Sequence, residues 1–366
     1  MYSVKIDCRL IVSVLIFISI MYCVQLFIIW TNQTILNEEI TILLYFLPLI
    51  IILTFLFLIL IFTKISECIY SIIYTIFGIY LGYVLYLFLT SLPLRLLLVF
   101  YIPPQYISLL LLYIIPLIIC IYGIINALIT KIIKINLKYP GFKGKYTILH
   151  LSDIHLGAIH QKYSVSKIVK EIQNLEILPD IIVITGDMAD GSLKVKSDWL
   201  SPFDLLDIPI LFITGNHEQL NPKKDMIEAV EMTNIKYIGE GKNFYHNGVN
   251  FIGLDYEYKL KQSLSKAQIE ENIPNILLYH VPEIGPEELA EYDIFLFLAG
   301  HTHGGQIFPL NIAAYFSNKC FKGLYSDKEK LHHVFVSEGV NNAVVPMRIG
   351  SSRVFALITI EDTIQE

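Results

Sequence analysis

Two hydrophobic patterns divide this chain near residue 135. Ahead of that point, four stretches of about 20 residues contain no Asp, Glu, Lys, Arg or His: Leu10–Trp30, Ile40–Phe62, Ile69–Thr90 and Tyr106–Ile129. A helix of about 20 apolar residues is what a bilayer core requires, so the pattern predicts an all-α region, residues 1–135, with four transmembrane helices. A cleaved signal peptide is disfavoured, because the first stretch is too long and three similar ones follow it.

A shorter apolar stretch, Leu94–Tyr101, leads to a different prediction. Arg95 interrupts it and Pro103-Pro104 follows it. A charged side chain at bilayer depth costs about 2.5–3.5 kcal/mol on insertion scales. We therefore expect an interfacial or re-entrant segment here instead of a fifth span.

The distribution of basic residues predicts the orientation of the chain in the membrane. Four spans place both termini on one side, and that side carries Lys5, Arg9, Lys64, Lys131, Lys134 and Lys138. The opposite loops carry only Arg95. The positive-inside rule then predicts a multi-pass membrane protein with its C-terminal domain in the cytoplasm. Residues 136–145 are expected to form a basic, solvated linker.

From residue 146 onwards, short apolar runs alternate with amphipathic stretches, a pattern typical of α/β folds. Five runs bounded by Pro, Gly or Asp are predicted to be buried strands: Tyr146–Leu151, Ile181–Thr185, Ile208–Thr214, Asn275–Tyr279 and Ile294–Leu298. Three helices are predicted at Val165–Leu175, Lys196–Leu205 and Asp225–Thr233.

The C-terminal half also contains signals for a second sheet. Asn247-Gly248 separates two alternating runs within Tyr237–Tyr256 and predicts a hairpin turn. Two late apolar runs, His333–Ser337 and Arg353–Ile360, are expected to complete that second sheet.

Candidate functional residues follow the predicted strands directly. They are Asp153, His155, Asp187, Asn216, His217, His280, His301 and His303. Open α/β sheets place their sites at the carboxyl ends of strands, so these side chains are expected to converge. Residues i and i+2 of an extended segment share a side, which lets Asp153 and His155 hold one metal. Two metals about 3.5–4 Å apart can activate water and clamp a phosphoryl group, so the set favours phosphate-ester hydrolysis.

Taken in order, these motifs resemble those of the calcineurin-like metallophosphoesterase superfamily. The matching elements are D-x-H at 153–155, GD at 186–187, GNHE at 215–218, a histidine at 280 and GHxH at 300–303. Leu151–Gly157 (LSDIHLG) and Gly300–Ile307 (GHTHGGQI) are similar to the membrane-associated branch of that family. The resemblance implies a four-layer α-β-β-α sandwich over residues 146–366.

The resemblance also implies a role for each candidate residue. One metal would be held by Asp153, His155 and His303, and a second by Asn216, His280 and His301. Asp187 would bridge them, in keeping with the two oxygens of a carboxylate. Ligands that combine nitrogen and oxygen without a thiolate suit Mn, Fe, Zn or Co.

His217 is expected to act as a catalytic residue and not as a ligand. It lies next to Asn216 but faces the other way, where it can stabilise the transition state or protonate the leaving oxygen. Asp190 is expected to orient a ligand of the site, and Glu218 is interpreted as a solvated charge. The five other histidines, His150, His160, His246, His332 and His333, are interpreted as structural or surface residues.

These observations favour a membrane-anchored, metal-dependent phosphoesterase, acting on phosphodiesters that are lipid-linked or close to the membrane. A nucleotide or cyclic-nucleotide phosphodiesterase is an alternative, as is a non-catalytic receptor or scaffold that retains the fold. A nucleic-acid substrate is disfavoured by the net charge of -6 and the absence of a basic stripe. Transport is disfavoured because the predicted spans contain no ionisable relay residues. The sequence does not predict an oligomeric state.

Overall fold

The computed structural model of the protein describes residues 8–38, 41–64 and 66–363. Lys5, the side chain of Arg9, and Ile40 lie outside the described residues, as does the predicted domain end at Glu366. The chain divides into two compact units, and the division falls after Gly123.

Within the described residues, the N-terminal part contains four long helices: α1 Cys8–Leu36, α2 Ile42–Phe62, α3 Glu67–Phe100 and α4 Gln105–Leu128. All four are long and apolar enough to cross a membrane. Many of their large apolar side chains are exposed, as is typical of helices that are hydrophobic on all sides and face lipid. Smaller inner faces pack together, for example through Ile28, Val84 and Leu87.

Helix α3 shows that the prediction for Leu94–Tyr101 was wrong. The helix continues through this segment to residue 100 and leaves no separate interfacial piece. Arg95 is accommodated because its guanidinium lies 3.4 Å from the centre of the Trp30 ring and donates a hydrogen bond to Thr34. These contacts give the charge a cation–π partner and an acceptor. The helix ends just before Pro103-Pro104.

The second unit is an α/β domain whose residues up to 363 form twelve strands: β1 Thr130–Lys138, β2 Lys145–Leu151, β3 Ile181–Thr185, β4 Ile210–Ile213, β5 Ile235–Tyr237, β6 Asn243–His246, β7 Val249–Gly253, β8 Asn275–Leu278, β9 Leu296–Ala299, β10 Gly323–Ser326, β11 His333–Val336 and β12 Arg353–Glu361. Its helices are α5 Lys162–Gln173, α6 Ser197–Leu200, α7 Lys223–Glu231, α8 Leu260–Leu264, α9 Pro286–Leu289 and α10 Leu310–Ser317.

Each of the two sheets contains six strands. Their orders are β1-β12-β2-β3-β4-β5 and β10-β11-β9-β8-β7-β6. The inner faces pack against each other through side chains such as Ile148 and Leu278. Helices α5 to α7 cover the outer face of the first sheet, with Ile168 in that core, and α8 and α9 cover the second, with Leu289. The predicted four-layer α-β-β-α sandwich is confirmed.

Strands β12 and β1 correct two sequence predictions. β12 belongs to the first sheet, where it runs parallel to β1 and antiparallel to β2, and so does not complete the second. β1 includes the first residues of the predicted linker, because Ile133, Ile135 and Leu137 alternate into the core between the sheets. The lysines of β1 point outward, and Lys134 pairs with Glu176. Lysines are common on edge strands, so their presence did not distinguish a strand from a linker.

The predicted hairpin is present between β6 and β7. Asn247 and Gly248 both have a left-handed backbone, with φ values of 48° and 79°. Two consecutive residues with positive φ form the tight turn that matches the twist of a hairpin, and Asn-Gly is the pair that adopts it most readily.

Loss of packing between the sheets should destabilise the α/β domain. We expect Leu278→Ala to lower the free energy of unfolding by about 2–5 kcal/mol, because Leu278 is fully buried between the sheets. Leu205→Ala is the matched control, since Leu205 is 69% exposed, and should change it by no more than about 0.5 kcal/mol. Denaturant titration followed by the fluorescence of Trp199 measures both. Equal effects of the two substitutions would contradict the assignment of this core.

Candidate metal centre

The strand ends of both sheets bring the predicted site residues together. Three groups of side chains have potential ligand atoms within 4.8 Å of one another: Asp153, His155 and His303; His155, Asp187 and His217; and Asp187, His280 and His301. Asn216 joins the third group, because its Oδ1 lies 2.8 Å from Nδ1 of His301. The groups share members, so the eight residues form one continuous cluster.

The first group is largely buried, with fully buried Asp153 and His155 and a slightly exposed His303. His155 and His303 face each other through their Nε2 atoms at 2.9 Å. Asp153 Oδ1 lies 3.3 Å from Nε2 of His303 and 3.9 Å from Nε2 of His155. One carboxylate oxygen and two imidazole nitrogens therefore surround a common point.

Asp187 connects this group to the other two. Its Oδ2 atom lies 3.1 Å from Nε2 of His280 and 3.8 Å from Nε2 of His155. Its Oδ1 atom accepts a hydrogen bond from the amide of His217. The carboxylate thus lies between the two sets of imidazoles, where a bridging ligand would have to be.

The backbone at the strand ends is unusual. Asp153, His155, Asp187, His301 and His303 all have a left-handed conformation, with φ between 49° and 70°. Such a conformation costs of order 1–3 kcal/mol for a residue with a side chain, and it clusters at functional sites. The same sharp turns direct these side chains towards one point.

The donor atoms are spaced as ligands of divalent metal ions are. Atoms that share an ion at about 2.0–2.3 Å lie roughly 3–4 Å from one another, and the contacts between donors here span 2.8–4.0 Å. The buried Nε2 of His280 faces Oδ2 of Asp187 at 3.1 Å, whereas its Nδ1 donates to the carbonyl oxygen of Thr185. That second contact orients the ring and leaves a nitrogen lone pair for a metal.

Burial keeps most of the histidines in the neutral form that binds metals. It lowers the pKa of His155 to about 3 and that of His301 to about 4, and it lowers the pKa of His303 strongly. Burial also opposes the charge on His280, but the Asp187 carboxylate, followed by Asp153, raises the pKa of His280 to about 10. A proton on this one ring partly balances the buried carboxylates.

Glu218 is part of the site and not the solvated charge that was predicted. It is buried, and its carboxylate accepts hydrogen bonds from the amides of Gly215, Asp187 and Ala189. Burial and the neighbouring Asp187 raise the pKa of Glu218 to about 7. Glu218 therefore holds together the loops that follow β3 and β4. The position of Glu218 at the end of the GNHE motif was the sequence signal for this role.

His217 lies at the open side of the cluster. Its Nδ1 donates to the carbonyl oxygen of Asp190 at 3.0 Å, and its Nε2 lies 4.0 Å from Oδ2 of Asp187. Asp190 thus orients a site residue, but through its main chain, since its carboxylate accepts hydrogen bonds from Ser192. Fixing Nδ1 in this way leaves Nε2 available for proton transfer.

Arg348 stabilises the site, and this role was not predicted from the sequence. The side chain is fully buried and donates to the carbonyl oxygens of Glu338, Ser352 and Asn341. The amide of Asn341 in turn donates to the carbonyl oxygen of Asp153. Arg348 therefore fixes the loop after β11 against the end of β2. A single arginine in a C-terminal loop belongs to no motif, so its role could not be predicted from the sequence.

The remaining five histidines are outside the three groups formed by the described residues. His150, for example, is buried and contacts the hydroxyl of Thr185 at 2.7 Å, and His246 contacts the hydroxyl of Tyr146 at the same distance. These contacts agree with the structural role predicted for such residues.

Comparisons with known proteins match this chain to metallophosphoesterases. The family model described as calcineurin-like phosphoesterase matches residues 146–305. The "Transmembrane protein with metallophosphoesterase domain" of Bos taurus is 33% identical over 236 residues, which cover 58% of this chain and 52% of that protein. The "Uncharacterized metallophosphoesterase" of Aquifex aeolicus (strain VF5) is 30% identical over 238 residues, covering 58% of this chain and 84% of that protein.

The chain spans about half the length of the bovine relative. Among solved structures, the NAD nucleotidase of Haemophilus influenzae is similar with a TM-score of 0.32 and 16% identity, covering 54% of this chain and 45% of that one.

The protonation state of His280 predicts that metal binding releases a proton. With its pKa raised to about 10, His280 is protonated at pH 7.5 and must lose that proton before Nε2 can bind a metal. We expect the full-length protein to release about one proton more than the His280→Gln variant when it binds metal. Calorimetric titrations in buffers with different ionisation enthalpies measure this difference.

His332→Gln is the matched control for that experiment, because His332 lies outside the cluster. It should release as many protons as the unmodified protein. Equal proton release by the unmodified protein and the His280→Gln variant would show that His280 is not protonated in the metal-free site.

Proposed function

Because the chain belongs to the calcineurin-like phosphoesterase family, we propose that it is a membrane-anchored, metal-dependent hydrolase of phosphate esters. The observation that carries this proposal is the convergence of carboxylates, imidazoles and one amide oxygen from five strand ends. A scaffold that had lost catalysis would have no need to keep every donor at ligand distance. The substrate we propose is a phosphodiester that is lipid-linked or lies close to the membrane.

We assign the donors to two divalent ions of the Mn, Fe, Zn or Co class. Asp153, His155 and His303 would hold one ion, and Asn216, His280 and His301 the other, with Asp187 between them. When bound, two such ions supply a water nucleophile at neutral pH and compensate charge on the phosphoryl oxygens.

The protein side chains supply positioning and proton transfer. His217 is the proposed general acid, because Nδ1 is held by the carbonyl oxygen of Asp190 and Nε2 faces the cluster from its open side. A proton on Nε2 can pass to the leaving oxygen as the ester bond breaks. Glu218 keeps the Asp187 backbone in place through its amide, so that the carboxylate stays between the two sets of donors.

The membrane part of the proposal rests on the four long apolar helices. Anchoring an esterase to a bilayer keeps it near substrates that cannot leave the membrane. The basic residues Lys64, Lys131 and Lys134 favour a cytoplasmic position for the α/β domain under the positive-inside rule. A soluble nucleotide diester is the competing substrate class.

Substitutions in the cluster should abolish turnover. We expect Asp187→Asn and His217→Ala each to reduce metal-dependent hydrolysis at least about a hundredfold, as for loss of a bridging ligand or a proton donor. Asp198→Asn and His332→Ala are the matched controls and should retain activity. The assay compares bis(4-nitrophenyl) phosphate, 4-nitrophenyl phosphate, a cyclic nucleotide and a phosphodiester lipid in vesicles, with the full-length protein loaded with each metal.

Full-length protein is required in that assay because β1, which begins at Thr130, is part of the first sheet. Faster turnover of the vesicle lipid than of the soluble diesters is the expected order. If the unmodified protein and the Asp187→Asn variant hydrolyse all four compounds at the same rate, the enzyme proposal fails.

The proposed orientation has its own test. In sealed inside-out vesicles the α/β domain should be exposed to added protease, and in sealed right-side-out vesicles it should be protected, because the positive-inside rule places it in the cytoplasm. An antibody against the C-terminus reports its survival, and detergent-permeabilised vesicles are the control. Protection in the inside-out vesicles alone would reverse the orientation.

A further inference from the structure

The large apolar side chains of helix α10 are exposed, which is unusual for a helix on the surface of a soluble domain. Its exposed residues are Leu310, Ile312, Tyr315 and Phe316, with Phe316 81% exposed. The residues that are half-buried against the domain are Asn311, Ala314 and Asn318. A surface helix normally buries its apolar stripe and exposes its polar one. Here two asparagines and one alanine face the protein, and the large apolar side chains face outward.

Helix α10 lies beside the metal-ligand loop. Gly305 is two residues beyond His303, and a Cβ atom on Gly305 would lie only 2.1 Å from Cα of Asn311 in α10. Gly305 also has a left-handed backbone, with φ of 75°. The backbone of α10 is therefore in direct contact with the loop, which a side chain at residue 305 would prevent.

The charges around α10 favour a lipid surface as the partner. Residues 304–326 contain two lysines and no carboxylate. Lys319 pairs with Glu288 and Lys322 pairs with Glu338, so the region has little net charge. An apolar face without uncompensated carboxylates can enter the boundary between headgroups and acyl chains without electrostatic repulsion.

The chain itself brings a bilayer within reach. Only Ile129 separates the last residue of α4 from the first residue of β1. The α/β domain is thus attached without a spacer to a helix of membrane-spanning length. A contiguous apolar surface on such a domain marks an interaction site. Lipid is the partner that the adjoining helix of membrane-spanning length brings close to it.

We propose that α10 is a membrane-interfacial helix, with Leu310, Ile312, Tyr315 and Phe316 inserted at the boundary between headgroups and acyl chains. This places the loop that carries His301 and His303 at headgroup level. The proposal rests on the membrane anchoring in the proposed function. A site in this position acts on substrates whose phosphate lies in the headgroup layer.

Single-tryptophan variants in lipid nanodiscs test the insertion. Phe316→Trp in a background of Trp30→Phe and Trp199→Phe places the only tryptophan on the exposed face of α10. Tyr163→Trp in the same background is the control, because Tyr163 is 84% exposed on α5. Lipids brominated along the acyl chain quench tryptophans that they contact. Trp199→Phe alone retains Trp30 in α1 and reports on anchoring.

We expect brominated lipid to reduce the emission of the Phe316→Trp variant about twofold or more, with a blue-shifted maximum, and to leave the Tyr163→Trp control unchanged. The quenching should persist in high salt, because the contact is apolar and nearly neutral. Tyr315→Trp provides a second reporter on the same face if the first substitution disturbs folding.

Two results would overturn the proposal. An unquenched, solvent-like emission would show that α10 faces water, and an unquenched but blue-shifted emission would show that protein covers it. In both results, quenching of Trp30 would show that anchoring is intact and that only the interfacial helix is refuted. Absence of Trp30 quenching would refute the anchoring on which both proposals depend.

Discussion

The structure depends on one constraint, which is that the ends of five strands from two sheets must direct polar side chains to a single point. Asp153, Asp187, His280 and His301 each lie two residues beyond the strand before them, and Asn216 lies three beyond. If each strand continued in an extended conformation, these side chains would not converge. The left-handed turns prevent this, at a conformational cost that the surrounding contacts must offset.

Those contacts are the buried polar groups around the cluster. Glu218 binds three amides of the loops after β3 and β4, and Arg348 fixes the loop after β11. The cluster itself contains two buried carboxylates, and the raised pKa of His280 shows that they attract a positive charge even before a metal is considered. A metal cation would replace that proton at little structural cost, since the ligand atoms are already at suitable distances.

Much of this arrangement could be predicted from the sequence, because its signals are local. Short apolar runs that end in Asp or His indicated the strands, and the Asn247-Gly248 pair indicated the hairpin. The errors concern partners that are distant in sequence. The register of β12 beside β1 depends on pairing across more than 200 residues, and an edge strand with outward lysines has the same composition as a solvated linker. Arg95 contributed to the wrong prediction for Leu94–Tyr101, because its contact with Trp30 could not be foreseen.

Glu218 and Arg348 illustrate a second limit of the sequence. Both are charged residues that the fold buries. The GNHE motif was the one sequence signal for Glu218, and nothing in the immediate neighbours of Arg348 separates it from a solvated charge. Their importance comes from backbone groups that only the folded chain presents to them. Helix α10 is the reverse case, because its apolar residues predict burial while the fold leaves them exposed.

The central claim is that the converging side chains hold two metal ions, and elemental analysis of the purified full-length protein tests it most directly. After loading and removal of free metal, the protein should retain about two divalent ions per chain, and Asp187→Asn should retain fewer while Asp198→Asn matches the unmodified protein. A folded, unmodified protein that retains no more metal than a variant lacking both Asp153 and Asp187 carboxylates would contradict the account.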